Sequence, residues 1–485
     1  MKSDPLTNTT NHNGEPGDPE IDLPFLTRFL RKQPRQKQWL SVSIPVPAVD
    51  PLAYLEQETE SDDLYYWEQP DRSFAMASGG ALTVLKSTGK HRFAEISRQS
   101  RDLHHQIASF SSRDSIPDEP ILLGGYSFSD HNIDREWKNF GAARFVLPEW
   151  CIVKKRDKHL LKLALPLQNH SPEAILHQIQ NRFAHFTGIR EKILKYKFDP
   201  PASGRQNAHK IHVKEKSVSD WYLQVDKARN MISSGDFQKI VLARDLEFHS
   251  EHPIHVTCTL HHLREHFPGC TIFMIRAENG PVFLGATPER LIALQQNRIL
   301  TEGLAGSISR GESATEDAAL GHTLMESSKD REEHEIVVRD IHNNLSSYSS
   351  GVEYPEKPGI KKLSNVQHLY TPITARVNRN ATIHDLAGLL HPTPAVGGYP
   401  RTSAIPHINE IETINRGWYA GPIGWYNLRG SGEFAVAIRS ALVHNHRGRL
   451  FAGCGIVADS DPDKEWAEAE LKLKPVLNAL KQAIR

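Results

Sequence analysis

The amino-acid sequence predicts an α+β fold. Segments typical of strands and segments typical of helices follow one another irregularly, without the regular strand–helix–strand order of a doubly wound parallel sheet. The chain also shows no internal repeat. Its length of 485 residues allows a large hydrophobic core, and length alone suggests about three domains.

Two polar segments divide the chain. Residues 1–22 are rich in Asn, Thr, Pro, Gly and Asp and lack the apolar stretch of a signal peptide, so they predict a disordered leader. A loop-like segment at 198–216 contains Pro200–Pro201 and predicts an internal boundary. We therefore expect an N-terminal part at 23–200 and a C-terminal core at 217–485.

The predicted elements become more regular toward the C-terminus. The N-terminal part has strands and turns with few helices, whereas the core combines amphipathic helices with apolar strands. In chain order, the predictions are strands at 121–128 and 143–147, a helix at 221–233, strands at 239–248, 271–276, 282–285, 434–443 and 450–457, and a final helix that begins at Pro462.

Composition argues against several classes of protein. Lys plus Arg and Asp plus Glu number 58 each, so we expect neither nucleic acid nor an anionic membrane as a partner. No apolar run approaches the roughly 18–20 residues that a spanning helix needs. The 26 histidines are scattered and are expected to be mostly surface groups. The cysteines predict neither a disulfide framework nor a zinc site, which suits a cytoplasmic protein; they are Cys151, Cys258, Cys270 and Cys454.

Residues 327–338 predict the start of a helix that carries acidic side chains beside its buried face. The apolar stripe of this helix comprises Val337, Val338, Ile341 and Leu345. Asp330 and Glu333 fall on or beside the stripe. Asp330 could simply form a capping box with Ser327. Glu333 has no such role, and a carboxylate beside a buried face is costly unless a positive group meets it.

The final helix repeats this arrangement. Asp461 and Pro462 are suited to begin it, and its apolar stripe comprises Trp466, Ala469, Leu473, Val476, Leu477 and Leu480. Glu465, Glu468 and Lys472 lie along one edge of that stripe. Glu465 could complement the helix dipole, and Glu468 could form an ordinary ion pair with Lys472. Alternatively, the acids of both helices could together hold Mg²⁺, which prefers oxygen ligands.

Several motifs resemble those of the chorismate-utilising enzymes, a family that includes isochorismate, salicylate, anthranilate and aminodeoxychorismate synthases. The motifs occur in order between about Trp221 and Leu480, and their number makes the resemblance specific. It implies the fold of anthranilate synthase component I, with two packed β-sheets flanked by helices and an active site in the cleft between them. The matching segments are residues 285–291, 328–335 and 455–468, with looser matches at 66–68 and 124–128.

Within the family, the chain looks most similar to the isochorismate synthases of menaquinone biosynthesis, through residues 391–398 and 416–425. The resemblance implies an isomerase that adds water at C2 of chorismate and removes the C4 hydroxyl. It makes Lys239 the base, which requires a lowered pKa, and Glu289 the acid. Judged from the residues alone, Lys239 could instead extend from a strand end into solvent, and Glu289 could be an exposed loop residue.

Other members of the family fit less well. Covalent aminodeoxychorismate synthases carry a lysine where this chain has Ala305, and anthranilate synthases lack the base lysine. Both normally use a glutaminase subunit, which we do not expect here; we expect a monomer or a weak homodimer. A salicylate synthase, an isochorismate synthase of a siderophore pathway and a non-catalytic chorismate-binding regulatory relic stay open as alternatives.

The resemblance also implies which residues bind the metal and the substrate. Glu333 and Glu468 match direct Mg²⁺ ligands, whereas Asp330 and Glu465 match a second pair for which contact through water is expected. The expected contacts to chorismate are Gly306, Ser307, His368, Tyr419, Arg439, the backbone of Gly453, and Lys472. Among these, an arginine suits a carboxylate because it donates two parallel hydrogen bonds. Without the resemblance, His368 would be interpreted as a packed loop histidine.

Overall fold

The computed structural model describes most of the chain. The described residues are 22–33, 36–58, 60–112, 119–130, 133–195, 211–214, 217–378 and 381–483. The predicted leader lies outside these ranges except for Asp22, whose carboxylate caps the first helix. Most of the predicted boundary segment at 198–216 lies outside them as well.

The helices lie mostly on the outside of two sheets. Within the described residues there are two short 3₁₀ helices, Pro70–Arg72 and Arg135–Trp137, and eleven α-helices. The α-helices are α1 (Leu23–Arg31), α2 (Pro51–Gln57), α3 (Arg92–Gln106), α4 (Pro172–Lys195), α5 (Val218–Ser233), α6 (Val256–His266), α7 (Ala314–Glu326), α8 (Ser328–Ser346), α9 (Ile383–Leu390), α10 (Arg401–Ile411) and α11 (Pro462–Gln482).

The described residues also contain the strands of both sheets. The strands are β1 (Trp39–Pro45), β2 (Leu64–Gln69), β3 (Phe74–Gly79), β4 (Thr83–Ser87), β5 (Ile107–Ser111), β6 (Ile121–Tyr126), β7 (Ala143–Leu147), β8 (Trp150–Lys155), β9 (Lys158–Pro166), β10 (Ile211–Lys214), β11 (Lys239–Ser250), β12 (Thr271–Arg276), β13 (Val282–Thr287), β14 (Arg290–Gln295), β15 (Arg298–Ser309), β16 (Ser349–Glu353), β17 (Gly359–Lys362), β18 (Val366–Val377), β19 (Gly398–Tyr399), β20 (Pro422–Asn427), β21 (Gly432–Val436), β22 (Ser440–His444) and β23 (Arg447–Ile456).

The two sheets each combine strands from the N-terminal and the C-terminal parts of the chain. The thirteen-stranded sheet has the order β10-β11-β23-β22-β13-β12-β2-β3-β8-β9-β1-β5, with β19 beside β11. The ten-stranded sheet has the order β16-β18-β15-β14-β21-β20-β6-β7-β4, with β17 beside β18. Apolar side chains of both sheets belong to one buried cluster. This architecture confirms the predicted α+β fold with two packed sheets and flanking helices.

Two of the places where the chain crosses from one sheet to the other lie next to each other. Pro288 and Glu289 connect β13 of the larger sheet to β14 of the smaller one, and residues 437–439 connect β21 back to β22. The two crossovers are hydrogen-bonded together, because Val436 N–H donates to the carbonyl of Glu289 at 3.0 Å and Ala286 N–H donates to that of Arg439 at 3.1 Å. Both crossovers therefore place side chains between the sheets.

The prediction of one strand at 434–443 is wrong. The apolar run continues through this segment, but the strand breaks at residues 437–439, where Arg439 has a φ of 52°. The reason is the change of sheet, since β21 and β22 pair with partners in different sheets. The strands predicted at 143–147 and 271–276 are confirmed with the same bounds.

Both acidic helices form as their caps and stripes indicate. The Ser327 hydroxyl accepts the backbone N–H of Asp330, and Asp461 caps α11 ahead of Pro462. The predicted stripe of α8 is buried at all four positions. Along the described part of the chain, no helix combines the length and the apolar character that crossing a membrane requires.

Candidate active site

A pocket lies between the two sheets and is closed by α8 and α11. Its walls come from β11 and β23 of the larger sheet, from β15 and β18 of the smaller one, and from both crossovers. The structure places every predicted site residue on this wall except Lys239. Lys239 lies directly behind it, fully buried, with its ammonium 2.7 Å from the Glu333 carboxylate.

Four carboxylates converge on one end of the pocket. α8 contributes Asp330 and Glu333, and α11 contributes Glu465 and Glu468. Burial, together with the nearby charges of Glu333 and Glu468, raises the pKa of Asp330 above its ordinary value. Burial and the charge of Glu468 raise the pKa of Glu465 to about 7. So much negative charge in a buried space indicates a place where a cation binds.

Two of the four acids lie close enough to share an ion. Single ligand atoms of Glu465, Glu468 and Cys454 all lie within 4.8 Å of one another. Cys454 itself is buried, and its thiol donates to the carbonyl of Glu465 at 3.1 Å. Carboxylates rather than a protonated thiol are the ligands that Mg²⁺ takes. Glu465 and Glu468 therefore fit a hard divalent cation, and Asp330 and Glu333 line the same pocket.

Two lysines partly neutralise these acids. Lys472 lies 2.6 Å from Glu468 and also donates to the carbonyl of Gly453 at 2.8 Å. Burial alone would raise the pKa of Glu333, but the ammonium groups of Lys239 and Lys472 hold it below its ordinary value. The sequence allowed an ordinary surface ion pair between Glu468 and Lys472. The ion pair does form, but it lies inside the pocket.

The contact of Lys239 with Glu333 depends on a glycine in the neighbouring strand. A Cβ atom at Gly455 would lie 2.9 Å from Lys239 Cε and 3.0 Å from the Glu333 carboxylate. Any larger residue at position 455 would therefore push the Lys239 side chain and the Glu333 carboxylate apart. This explains physically why the pattern has glycine at this position.

Glu289 is buried at the first crossover and not exposed on a loop. Its side chain is among the buried charged groups, with 6% of its surface exposed. Burial, and next the negative charge of Glu302, raise the pKa of Glu289 to about 8. At neutral pH the carboxyl group is therefore protonated and able to donate a proton into the pocket.

A bulge in β15 positions the part of the pocket wall beside Asp330. The register between β15 and β18 shifts at Gly306, whose φ of 72° suits glycine. The bulge brings the Ser307 hydroxyl to 2.9 Å from His368 Nδ1, which also lies 3.2 Å from the Gly306 carbonyl. Burial and the charges of Arg439 and Lys472 lower the pKa of His368 to about 3. His368 is thus neutral, and its Nε2 has no partner among the described residues.

Arg439 provides a buried positive charge at the second crossover. The residue is 7% exposed, and its guanidinium forms no hydrogen bond or ion pair within the part of the chain that the structure describes. Burial lowers its pKa, but an arginine stays charged at any physiological pH. Tyr419 lies on the same wall with its ring stacked on Phe451. An anionic group of a ligand would satisfy the guanidinium.

Three further charged residues support the site, and the sequence patterns did not identify them. Arg416 donates to the carbonyls of Val396 and Val241 at 2.9 and 2.8 Å and so ties two pocket walls together. Glu302 and Lys361 hold the turn that carries Glu289. Arg416 is the first residue of the matching segment 416–425, which was the only signal available. The other two are far apart along the chain and belong to no motif.

A family model described as chorismate binding enzyme matches residues 25–481. Two relatives are similar over most of their length. The salicylate biosynthesis isochorismate synthase of Pseudomonas aeruginosa is 37% identical over 440 residues, which cover 89% of this chain and 88% of that protein. The isochorismate synthase MenF of Bacillus subtilis is 33% identical over 450 residues, which cover 91% and 93%.

Two solved structures are also similar. MenF of Escherichia coli, described as the menaquinone-specific isochorismate synthase, is 26% identical with a TM-score of 0.76, and the match covers 94% of this chain and 98% of that one. Component I of anthranilate synthase from Streptococcus pneumoniae is 21% identical with a TM-score of 0.67, covering 83% and 92%. At that level of identity, the second likeness shows the fold alone.

Proposed function

Since the chain belongs to the family of chorismate-binding enzymes, we propose that it is an isochorismate synthase, an isomerase that converts chorismate to isochorismate. The observation that carries the proposal is the composition of the pocket. It combines a buried protonated carboxyl group on Glu289, a buried lysine, an arginine that has no partner among the described residues, and a cluster of four acids. These groups supply a proton donor, a base, an anchor for a carboxylate and a cation site.

The reaction exchanges one water for another. The oxygen of water forms a bond to C2 of chorismate, the ring double bonds shift, and the C4–oxygen bond breaks, so the hydroxyl leaves as water. We assign Lys239, in its neutral amine form, as the base that takes a proton from the attacking water and so becomes an ammonium, and Glu289 as the acid that protonates the departing hydroxyl. The pKa of about 8 for Glu289 keeps that proton available at neutral pH.

We propose that Asp330, Glu333, Glu465 and Glu468 hold the metal ion Mg²⁺ beside the ring carboxylate. When bound, Mg²⁺ supplies positive charge that neutralises and polarises this carboxylate. Burial and the neighbouring carboxylates raise the pKa values of Asp330 and Glu465, which supports the assignment, because a divalent cation would offset both effects. Glu333 and Glu468 are the proposed direct ligands.

The remaining wall residues bind the rest of the substrate. We propose that Arg439 and Tyr419 hold the side-chain carboxylate and that Lys472 adds a further positive charge. Ser307 and the neutral His368 contribute uncharged hydrogen-bonding groups at the Gly306 bulge.

The proposal extends to the setting of the enzyme. We propose a cytoplasmic enzyme of menaquinone biosynthesis that acts as a monomer or weak homodimer without a glutaminase subunit. The name of the Bacillus subtilis relative and the description of the Escherichia coli structure support the menaquinone pathway. The name of the Pseudomonas aeruginosa relative refers to salicylate biosynthesis instead, so restoring menaquinone in a strain that lacks isochorismate synthase is the relevant test.

The decisive assay incubates the purified chain with chorismate and Mg²⁺ and separates the products by chromatography. We expect isochorismate, and in ¹⁸O-labelled water we expect one solvent oxygen in the product, since the new hydroxyl derives from water. Salicylate with pyruvate as the main product would indicate a salicylate synthase. Anthranilate formed with ammonia would indicate an amine-forming enzyme, and no turnover would contradict the proposal.

Glu468→Ala should weaken the binding of Mg²⁺ because it removes a proposed direct ligand. We expect the apparent dissociation constant for Mg²⁺, measured by calorimetry and by the metal dependence of turnover, to rise at least tenfold, in line with the effects of about 10–100-fold seen even for residues that only support ligands. Glu332→Ala is the matched control, because Glu332 lies on the exposed face of α8. An unchanged metal titration in Glu468→Ala would remove this residue from the cation site.

Arg439→Gln should weaken the binding of chorismate without abolishing the chemistry. The buried guanidinium has no partner in the described residues, so its main role is expected in the bound state. Losing a charge-assisted contact costs about 1.5–3 kcal/mol, which predicts a KM about 10–100-fold higher and a smaller change in kcat. A normal KM would show that the side-chain carboxylate binds elsewhere.

A further inference from the structure

The turn that carries Glu289 is held by two charged side chains of the smaller sheet. The Glu302 carboxylate accepts the backbone N–H of Arg290 at 3.0 Å, on one side of Glu289. The Lys361 ammonium donates to the carbonyl of Pro288 at 2.7 Å, on the other side. Lys361 and Glu302 also contact each other at 3.0 Å. One ion pair therefore fixes the turn at both of its ends.

This ion pair lies behind the turn and outside the active-site pocket. As the described residues define that pocket, neither Glu302 nor Lys361 lines it. Both line a separate cavity on the other side of the turn, together with Tyr370. The side chain of Glu302 is 5% exposed and that of Lys361 is 24% exposed. Their influence on a reaction in the pocket must therefore pass through the turn or through their charges.

The charges around Glu289 act in opposite directions. Burial and then Glu302 raise the pKa of Glu289, whereas the positive charges of Lys361, Lys239 and Lys472 lower it. Lys239 and Lys472 already belong to the acid cluster, so Glu302 and Lys361 are the other two charges that act on the pKa of Glu289. The groups that face the turn from neighbouring elements are Glu302 on β15, Lys361 on β17, Lys239 on β11, Lys472 on α11, Arg439 at the second crossover, and the ion pair of Arg290 with Glu433.

We propose that Glu302 and Lys361 are positioning residues for Glu289, which fix its turn and bias the protonation of its carboxyl group in opposite directions. The inference rests on the proposed function, because it assumes that Glu289 is the acid of the reaction. A carboxylate close to an acidic group favours the protonated form, and an ammonium favours the ionised form. The balance of the pair then sets the highest pH at which the enzyme works.

The test is the pH profile of kcat/KM for chorismate at saturating Mg²⁺, which reports ionisations of the free enzyme. Because Glu289 acts in its protonated form, activity of the unchanged enzyme should fall as pH rises through about 8. Glu302→Gln keeps an oxygen for Arg290 N–H but removes the charge, so the fall should move to lower pH by roughly one unit. Lys361→Met removes the opposing charge, so the fall should move to higher pH.

Matched controls distinguish the effect of the lost charge from a general disturbance of the structure. Lys362→Met makes the same substitution one residue away, where the ammonium pairs with Asp317 and not with the turn. Lys361→Arg keeps the charge and should keep the profile near that of the unchanged enzyme. Glu353→Gln makes the same change as Glu302→Gln at an exposed position of β16. Only Glu302→Gln and Lys361→Met should move the high-pH limb, and in opposite directions.

The inference would be overturned if the high-pH limb of the profile stayed in place in both variants or moved in the same direction in both. A purely structural role lowers the rate at every pH and does not produce opposite shifts. If Glu302→Gln does not fold, the test depends on Lys361→Met alone. The Lys361 side chain is partly exposed, so its loss is better tolerated. Failure of the proposed function would look different: the unchanged enzyme would then form no isochorismate at any pH.

Discussion

Replacing Glu289 by glutamine should lower kcat for chorismate by about 10²–10⁴-fold, the range that a general acid contributes. Glutamine keeps the shape of the side chain at a site that is 6% exposed, but it cannot release a proton. Binding of chorismate and Mg²⁺ should stay measurable, since the carboxyl group is protonated before the reaction and contributes no charge to binding. The measurements are steady-state kinetics for turnover and calorimetry for binding.

Glu289→Gln should also stabilise the folded protein at high pH, although it lowers the activity. The folded pKa of Glu289, about 8, lies above the value of an exposed glutamate, so the unfolded chain releases this proton first as pH rises. The stability that protonation provides is complete at low pH and is lost progressively between about pH 4.5 and pH 8. Glu289→Gln, which cannot ionise, should therefore melt at a higher temperature than the unchanged protein at pH 8.

Glu353→Gln, at an exposed position, is the control for both effects. A variant Glu289→Gln with normal turnover would remove Glu289 as the acid. A variant that is inactive and also fails to bind chorismate would indicate that the substitution has disrupted the structure of the pocket. Inactivity with intact binding and a raised melting temperature at pH 8 is the result that only a buried protonated acid predicts.

The acidic helices show how far local patterns lead. Helical spacing placed Glu333 and Glu468 beside buried faces, and caps located the starts of α8 and α11, because each of these signals depends on residues close together in the chain. Nothing in either segment specifies that the two helices meet. Their convergence depends on how α8 packs on β15 and α11 packs on β23. The family resemblance was the only information in the sequence that indicated it.

The crossovers show where local patterns fail. The apolar segment at 434–443 predicts one strand, since alternation cannot report that its two halves belong to different sheets. For the same reason, Glu289 resembles an exposed turn residue although the second sheet covers it. The resemblance identified Arg439 and Glu289 as candidates, but both are buried because the chain changes sheets there, which is a property of the whole fold.

The Glu302–Lys361 pair was missed for a related reason. The two residues lie in β15 and β17, on either side of β18, and they meet only because all three strands pair in register. Cross-strand pairs of this kind have no fixed spacing along the sequence. The sequence therefore predicts the fold and the residues within motifs, whereas supporting residues outside motifs emerge only from tertiary contacts.

Replacing Lys239 by alanine should abolish the addition of water while leaving the binding of Mg²⁺ and chorismate measurable. The Lys239 side chain is fully buried, and its terminal nitrogen lies 2.7 Å from the Glu333 carboxylate. Loss of a general base predicts a decrease in kcat of about 10²–10⁴-fold. Product analysis at high enzyme concentration measures the residual rate, and calorimetry measures binding.

Removal of Lys239 also leaves the Glu333 carboxylate without its partner, and an unpaired buried charge is costly. Two effects then have to be separated. If Lys239 only stabilised Glu333, added Mg²⁺ would compensate for the lost charge, and Lys239→Ala would regain turnover at high metal concentration. If Lys239 is the base, saturation with Mg²⁺ restores folding and binding but not isochorismate formation. Lys474→Ala, at an exposed position of α11, should behave normally throughout, and turnover retained by Lys239→Ala would end the assignment.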